Sequence, residues 1–324
     1  MSLRSIEYFL KVAEEGNITR AANKLYISQQ ALSNHIKRLE DEYQVTLFER
    51  KPVFRLTKAG ESMVYYGQRL IREEAEMRAV FSDLSLQAKA TLRFGISRLR
   101  ADVFLPLIWQ FYKPNHPNIS IEVVNGNSKE LDDLLQAGKI DLYVGIDVPS
   151  SPVKHSVLLA TEGLQCCFTE GLLRRHYPET YELLLREFES GADLLKLLPL
   201  PLISVRQGNR LRERLDQYLM QYGKPEYVLE CDQQNMVYEL ARQGAGVGLL
   251  SPLLLYRHGH DEMGGGDPFY SFPIRNDIGV TRTYMVYRSD YTPPQYLKDF
   301  ISDVSLVFES YARTVDRKYS VEHE

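Results

Sequence analysis

The segment from Asn17 to Tyr43 constrains the fold more than any other part of the chain. It predicts two short helices separated by a tight turn at residues 25–27, because Asn17 and Ser28 are typical N-cap residues and each precedes a helical pattern. The second helix is predicted to bury an apolar stripe, which is formed by Leu32, Ile36, Leu39 and Tyr43. Its other face is polar. This arrangement is typical of a helix-turn-helix, whose second helix can enter the major groove of DNA.

A helical hairpin of this size can also be an ordinary structural hairpin with a solvated polar face. The residues that follow it favour DNA binding. The ranges 48–50 and 53–56 flank Lys51-Pro52, which predicts a short basic hairpin on the scale of a DNA-binding wing. Four of the ten basic residues in the first 60 positions fall within residues 50–58.

Charge is distributed unevenly along a chain that is acidic as a whole, with a net charge of −4 over 324 residues. Ten basic and seven acidic residues through Gly60 give that part +3, which leaves −7 for the remainder. A basic end on an acidic protein fits DNA contact by one end only. The length predicts two or three domains, and the 44% hydrophobic content is ordinary for a protein with a real core.

These features together carry a resemblance to a known family. The stretch FLKVAEEGNITRAANKLYISQQALSNHIKRLEDEYQVTLFER, with LTKAGE shortly after it, resembles the N-terminal domain of the LysR-type transcriptional regulators from about Leu3 to Gly60. The resemblance implies that double-stranded DNA is a partner. It also implies which residues face the DNA: Thr19, Gln29, Gln30, Ser33, Asn34, Lys37, Arg50 and Arg55.

Within this set the predicted roles differ. Gln29 is expected to contact a base edge, because a glutamine amide can pair with adenine. Lys37, Arg50 and Arg55 are predicted phosphate contacts, and Thr19 at the start of the preceding helix is expected to touch the DNA backbone. The first kind of contact specifies sequence, whereas the second kind positions the protein.

Two of these positions depart from the family pattern. Gln30 stands where many relatives have proline, which adds a candidate base contact. Asn34 stands where many relatives have arginine, so that phosphate affinity is expected to be lower or to move onto Lys37 and Arg38.

A long helix is predicted from about Lys58 to Ala88, capped by Thr57. Apolar residues recur along it every seven positions, namely Met63, Leu70, Met77 and Leu84. A helix with such a stripe needs a packing partner, because on its own it would expose too much apolar surface. That partner is either a second copy, as the family resemblance implies, or the chain's own C-terminal domain. We favour dimerisation, which would place two recognition helices on a two-fold axis.

From Thr91 the pattern changes to alternating apolar runs and helical segments. Three runs separated by two helical segments predict a βαβαβ unit with a parallel open sheet, at 92–96, 119–124 and 140–145. The pattern repeats from 164 to 250, and further strands near 269–273 and 283–287 precede a terminal helix at 294–311. Two such halves joined by crossing strands resemble the effector-binding region of the same family, a periplasmic-binding-protein-like fold.

The predicted fold class is therefore α/β, with a winged helix-turn-helix at one end. The domains are expected at 1–58 (DNA binding), 59–90 (dimerisation helix), 91–312 (two-lobed effector domain) and 313–324 (a polar, frayed tail). A helical stretch at 177–198, broken at Gly191, looks longer than is usual in the family.

A small molecule is expected beyond the carboxyl ends of the strands, where helix N-termini offer free N–H groups. The predicted effector-binding residues at these ends are Ser97, Arg98, Arg100, Asn127, Ser128, Asp147, Ser204, Arg206 and Gly248. Serine hydroxyls and guanidinium groups indicate an anionic ligand, such as a carboxylate or phosphate. For each arginine the alternative is a solvated surface charge or an ion pair between domains.

Other functions have weaker support in the sequence. The three cysteines (Cys166, Cys167 and Cys231) allow a redox-sensor interpretation, but buried inert thiols are favoured. The seven histidines are scattered, and the stretch from Tyr256 to His260 is interpreted as a surface connection rather than a metal site. No metal, cofactor or catalytic set is predicted.

The rival interpretation is a solute-binding or enzymatic α/β protein that carries an unrelated helical domain. The missing export leader and the missing catalytic set both weaken it. No apolar run reaches membrane-spanning length. We therefore expect a cytoplasmic homodimer or homotetramer without membrane contact.

Overall fold

The computed structural model describes residues 2–49, 53–83, 90–222, 226–258, 267–290 and 292–319. The chain begins with three helices, α1 (Leu3–Glu15), α2 (Ile18–Lys24) and α3 (Gln29–Tyr43). Both predicted N-caps are present: the Asn17 side chain accepts from the Arg20 N–H at 3.0 Å, and the Ser28 hydroxyl accepts from the Ala31 N–H at 3.1 Å. These three helices form the head of the molecule.

The core of the head contains most of the predicted stripe. Leu32, Ile36 and Leu39 are buried against Phe9 of α1. Tyr43 was predicted as the fourth member, and this is wrong, because it is the last residue of α3 and is 44% exposed. The stripe therefore ends one turn before the helix does.

A two-stranded hairpin follows the three helices, as predicted. Strands β1 (Phe48–Glu49) and β2 (Arg55–Leu56) pair antiparallel. Phe48 stacks on Phe54 with ring centroids 4.9 Å apart, which fixes the hairpin to the head core. The predicted phosphate contact Arg50 and the pair Lys51-Pro52 lie outside the described residues.

The long helix α4 (Lys58–Asp83) begins where the Thr57 hydroxyl accepts from the Gly60 N–H at 3.0 Å, which confirms the predicted cap. Its first turns pack on the head, since Met63 is half-buried there. Gly67 faces Ile6 so closely that a Cβ would lie 2.9 Å from Ile6 Cγ2. The predicted continuation to Ala88, including Leu84, falls outside the described part of the chain.

The C-terminal half contains two lobes. In chain order lobe 1 starts with β3 (Ala90–Ile96), α5 (Arg98–Asn115), β4 (Ile119–Asn125), α6 (Ser128–Gln136), β5 (Leu142–Ile146) and β6 (Lys154–Glu162). Lobe 2 contains β7 (Gln165–Thr169), α7 (Glu170–His176), α8 (Tyr181–Phe188), α9 (Leu194–Leu197), β8 (Leu202–Val205), α10 (Arg210–Leu219), β9 (Tyr227–Cys231), α11 (Gln234–Arg242), β10 (Val247–Leu250), α12 (Pro252–His258) and β11 (Phe269–Pro273). The chain then returns to lobe 1 with β12 (Thr281–Arg288) and α13 (Gln295–Tyr319).

Each lobe is built on a five-stranded sheet. In lobe 1 the order is β4-β3-β5-β12-β6, and β4, β3 and β5 are parallel, as the βαβαβ pattern predicts. In lobe 2 the order is β11-β7-β10-β8-β9, with β10, β8 and β9 parallel. In each sheet one strand runs antiparallel to the other four, β12 in lobe 1 and β7 in lobe 2, and it is the strand through which the chain enters that lobe from the other one. The structure thus has the predicted two halves with crossing strands.

Several elements differ from the sequence prediction. Strand β6 and helices α7 and α12 were not predicted. The stretch 177–198 is helical, as predicted, and Gly191 interrupts it with a φ of 111° between α8 and α9. Helix α13 continues to Tyr319 with Val315 buried, so the prediction of a frayed tail from residue 313 is wrong over that range.

The stretch from Tyr256 was predicted to be a surface connection, and this is wrong for its first three residues. They end helix α12, and His258 stacks on Tyr238 with ring centroids 4.3 Å apart. Residues 259 and 260 are outside the described ranges. Among the residues that are described, no helix is long and apolar enough to cross a membrane.

Candidate nucleic-acid surface and ligand cavity

The N-terminal turn of α3 and the start of α2 lie side by side on the surface of the head. Gln29, Gln30 and Asn34 are exposed on α3, and Ser33 is half-buried between them. The Thr19 hydroxyl of α2 donates to Gln29 Oε1 at 3.0 Å. This bond holds the Gln29 amide with its NH₂ group free to donate outward, an orienting role for Thr19 that the sequence did not predict.

The predicted phosphate contacts flank this surface. Lys37 is exposed two turns further along α3. Arg55 lies on the wing strand β2, where its Nε donates to Glu49 Oε2 at 2.6 Å. Both side chains of that pair are largely exposed, and an exposed ion pair of this kind contributes little stability. The Arg55 guanidinium can therefore exchange the carboxylate for a phosphate.

A cavity of about 640 Å³ lies between the two lobes. Five of the predicted effector-binding residues line it, and all five belong to lobe 1: Ser97, Arg98, Arg100, Asn127 and Ser128. They surround the N-termini of α5 and α6, which follow the carboxyl ends of β3 and β4. The opposite wall is formed by the N-terminal parts of α10 and α11, with Asn209, Arg214, Gln233 and Gln234. Helix N-termini on both walls favour an anion.

Four predicted effector-binding residues are not among those that line the cavity. Asp147 accepts from the Arg282 backbone N–H at 3.0 Å and so joins the end of β5 to β12. Ser204 is buried within β8, and Gly248 is buried within β10, where a Cβ would lie 3.0 Å from Cys167 Sγ. Arg206 is exposed and pairs with Asp232 at 3.0 Å. In lobe 2 the strand-end rule therefore selected residues in or beside the sheet rather than residues that line this cavity.

Arg214 and Asn209 were missed by the sequence reasoning, although a signal for Asn209 was present. The Asn209 side chain accepts from the Leu211 N–H at 3.0 Å and caps α10, just as Asn127 caps α6. An Asn before a helical pattern predicts such a cap. Nothing in the sequence shows that the capped end faces lobe 1.

Buried donors without acceptors are concentrated around this cavity. Arg100 is 8% exposed, and its Nη2 donates to Thr283 Oγ1 at 3.2 Å and to Glu162 Oε2 at 3.5 Å. Among the described residues its buried Nε has no acceptor, and the same holds for the buried Nε of Arg214 and the buried hydroxyl of Ser97. Arg214 Nη2 also donates to Thr281 Oγ1.

Glu162 contacts Arg100 through the Nη2 atom of the guanidinium. It is 2% exposed at the end of β6, and it accepts from the Tyr311 hydroxyl and from Ser251 Oγ at 3.3 Å as well as from Arg100. Burial and the nearby Glu162 carboxylate raise the pKa of Tyr311, so this residue remains a hydroxyl donor to that carboxylate. Because Glu162 contacts Arg100 at Nη2, the buried Nε–H remains without an acceptor among the described residues and can bind a ligand.

The cysteines do not form a reactive site. Cys166 and Cys167 are buried in β7, and burial raises the pKa of Cys166 to about 12 and that of Cys167 well above its usual value. The thiolate is the reactive form of cysteine, so both thiols are inert near neutral pH. Within the described residues, no group of His, Cys, Asp and Glu side chains could hold a metal ion.

Comparison with known proteins agrees with this architecture. Residues 3–61 match the bacterial regulatory helix-turn-helix proteins of the lysR family, and residues 86–305 match the LysR substrate binding domain. CzcR of Bacillus thuringiensis is 24% identical over 306 residues, which are 94% of this chain and 97% of CzcR. BenM of Acinetobacter baylyi is 34% identical over 166 residues, which are 51% of this chain and 54% of BenM.

Two full-length solved structures share the fold. OxyR from Pseudomonas aeruginosa superposes with a TM-score of 0.67 at 19% identity, covering 94% of this chain and 95% of OxyR. CbnR in complex with its target DNA superposes with a TM-score of 0.57 at 19% identity, covering 95% of this chain and 100% of CbnR. The family consists of transcriptional regulators rather than enzymes. The head and the two lobes together show that the chain belongs to the LysR family of bacterial regulatory helix-turn-helix proteins.

Proposed function

We propose that this LysR-family regulator binds double-stranded DNA as a homo-oligomer and changes its DNA binding when a small organic anion occupies the cavity between its lobes. The α3 helices read the operator, and the wings contact its phosphates. A protein with this role works where the chromosome lies, so we assign it to the cytoplasm.

The observation that carries the ligand proposal is the set of unpaired buried donors around the cavity. Ser97 and Arg100 belong to lobe 1, whereas Arg214 belongs to lobe 2. A buried donor without an acceptor destabilises the protein by about 1–3 kcal/mol. A carboxylate or phosphate between the lobes would accept from donors on both walls, and guanidinium groups suit such oxygens. The bound anion therefore favours the closed arrangement of the lobes.

The test is a thermal-shift screen of the purified protein with carboxylates, dicarboxylates and phosphate esters. A ligand present at about 100 times its Kd stabilises the folded state by about 2.7 kcal/mol, which is readily measured. The hit is then titrated by calorimetry into the wild type, Arg214→Gln and Arg186→Gln. Arg214→Gln should weaken binding at least tenfold, because it removes a charged donor.

Arg186→Gln is the matched control, since Arg186 is an exposed arginine of the same lobe outside the cavity lining. It should leave the affinity unchanged. Equal losses in both variants would show that general charge, rather than the cavity, attracts the anion. A screen in which no anion raises the melting temperature would contradict the ligand proposal.

The DNA-binding proposal is tested separately by incubating the purified protein with fragmented genomic DNA and sequencing what it retains. Enrichment of one motif with dyad symmetry, its half-sites spaced in phase with the DNA helix, is expected of an oligomer with two-fold symmetry. Retention that has no sequence preference and disappears with salt would contradict it.

A further inference from the structure

The turn between α2 and α3 contains an aromatic residue that the fold does not explain. Tyr26 follows the C-cap Leu25 of α2 and has a φ of 55°, in the left-handed region. The Ile27 N–H donates to the Ala22 carbonyl at 3.1 Å, and the Tyr26 N–H donates to the Asn23 carbonyl at 3.2 Å. These two bonds define a Schellman motif, in which the position of Tyr26 is usually glycine and sometimes asparagine.

The Tyr26 ring makes no contact in the described part of the fold that would offset the free-energy cost of this backbone conformation. A left-handed conformation costs a residue with a Cβ roughly 1–2 kcal/mol. The Tyr26 side chain is 94% exposed, although its neighbours Leu25 and Ile27 pack on the head core. Among the described residues, the Tyr26 side chain has no hydrogen bond and no ring contact.

The other two non-glycine residues with positive φ in the described chain differ from Tyr26 in this respect. The Gln44 amide donates to the Asp41 carbonyl at 2.6 Å. Asp147 accepts from the Arg282 N–H at 3.0 Å. Each of these side chains forms a bond that depends on its position. A strained position whose side chain has no intramolecular partner points to a function outside the fold.

The location of Tyr26 indicates what its partner is. It stands two residues before Ser28, which caps the recognition helix α3, so its Cα lies within about 7 Å of the N-terminus of that helix along the chain. When the start of α3 enters the major groove, the groove wall beside it is the sugar–phosphate backbone. Tyrosine hydroxyls commonly donate to phosphate oxygens.

We propose that the Tyr26 hydroxyl donates a hydrogen bond to a backbone phosphate beside the groove that α3 enters, and so sets the depth and register of the recognition helix. This inference rests on the proposed DNA binding. It assigns a DNA contact to a residue outside the predicted set, on the turn rather than on a helix or the wing. The contact does not depend on base sequence, because every nucleotide has the same phosphate.

The test uses three variants and the operator fragment recovered by DNA capture. Tyr26→Phe keeps the ring and the backbone strain but lacks the hydroxyl. It should bind the operator about tenfold more weakly, the effect of losing a hydrogen bond to a charged acceptor. Because the hydroxyl is neutral and releases no counterion, the slope of log K against log salt should stay that of the wild type. Tyr43→Phe, at the exposed end of α3, is the matched control and should bind like the wild type.

Tyr26→Asn separates the contact from the fold. Asparagine tolerates the left-handed conformation, so this variant should melt at or above the temperature of the wild type while it binds DNA at least as weakly as Tyr26→Phe. Unchanged affinity in Tyr26→Phe would overturn the hydroxyl contact. A lower melting temperature in Tyr26→Asn would overturn it as well, since Tyr26 would then have a structural role. If the wild type itself retains no operator, the proposed function fails instead.

Discussion

At the level of single residues, we assign readout of the DNA sequence and positioning of the protein on the DNA to different elements of the head. Gln29 begins the recognition helix and is oriented by Thr19, whereas Arg55 lies on the wing. Gln29→Ala should relax the sequence preference by about 1–3 kcal/mol at one base pair, because it removes a base-edge contact. Arg55→Ala should instead weaken binding to all sequences and reduce the salt slope by about 1.

Titration of both variants against the operator, its point mutants and a salt series would check this assignment. Thr19→Ala is a useful intermediate, since it leaves the Gln29 side chain in place but frees its amide to rotate. It should relax the preference in the same direction as Gln29→Ala and to a smaller extent. If Gln29→Ala and Arg55→Ala lower the affinity for every sequence in parallel, the division between readout and positioning is wrong.

At the level of elements, the apolar side of α4 packs on the head near its start and is exposed further along the helix. Met63 packs on the chain's own head, but Leu70, Met77 and Phe81 are 39, 50 and 60% exposed. The seven-residue repeat predicted the helix, because periodicity follows from local sequence. The repeat could not show which of its apolar residues pack on the chain's own head and which are left for a second copy, because that depends on where the head lies.

Dimerisation through the exposed part of α4 therefore remains a prediction, and Met77→Glu tests it. Burying a methionine side chain contributes about 1.5–3 kcal/mol for each copy, and two glutamates near a two-fold axis would also repel one another. The variant should dissociate at a protein concentration at least tenfold higher than the wild type does, as measured by sedimentation. Leu183→Glu, at an apolar site on α8 that is 67% exposed, is the control and should leave the oligomer intact.

At the level of the whole molecule, the sequence predicted lobe 1 better than the way in which the lobes face each other. The run of apolar strands and capped helices correctly placed Ser97 and Asn127 at the cavity. Strand β6 was missed because its apolar residues form one run at 157–160 instead of alternating with polar residues along this edge strand. Arg214 was missed because only the relative position of the lobes brings the start of α10 to the cavity.

The contacts at the two ends of α6 indicate how the cavity communicates with the head. Helix α6 has its N-terminus at the cavity, where Ser128 bonds to the backbone of Ile146, and it spans nine residues, about 13 Å. At the other end of α6, the Arg72 guanidinium of α4 donates to the carbonyl of Gln136, the last residue of the helix. Just after that end, Lys139 pairs with Glu14 of α1 at 3.4 Å. A shift of α6 on ligand binding would thus reach both α4 and the head.

Gly138 is the position at which this connection can be interrupted. Its φ is 68°, and a Cβ would lie 2.2 Å from Arg72 Cδ, so Gly138→Ala must displace Arg72 from the end of α6. Gly279→Ala introduces the same kind of backbone strain at a φ of 79° with no atom within 4 Å, which makes it the matched control.

We expect both variants to bind the anion and the operator. The allosteric coupling is measured as the change in operator affinity between ligand-free and ligand-saturated protein, and such couplings are typically about 1–3 kcal/mol. Only Gly138→Ala should lose most of this coupling. An equal loss in both variants would mean that backbone strain, rather than the displacement of Arg72, reduces the coupling. An undiminished response in Gly138→Ala would mean that the ligand acts on the head by a route other than α6.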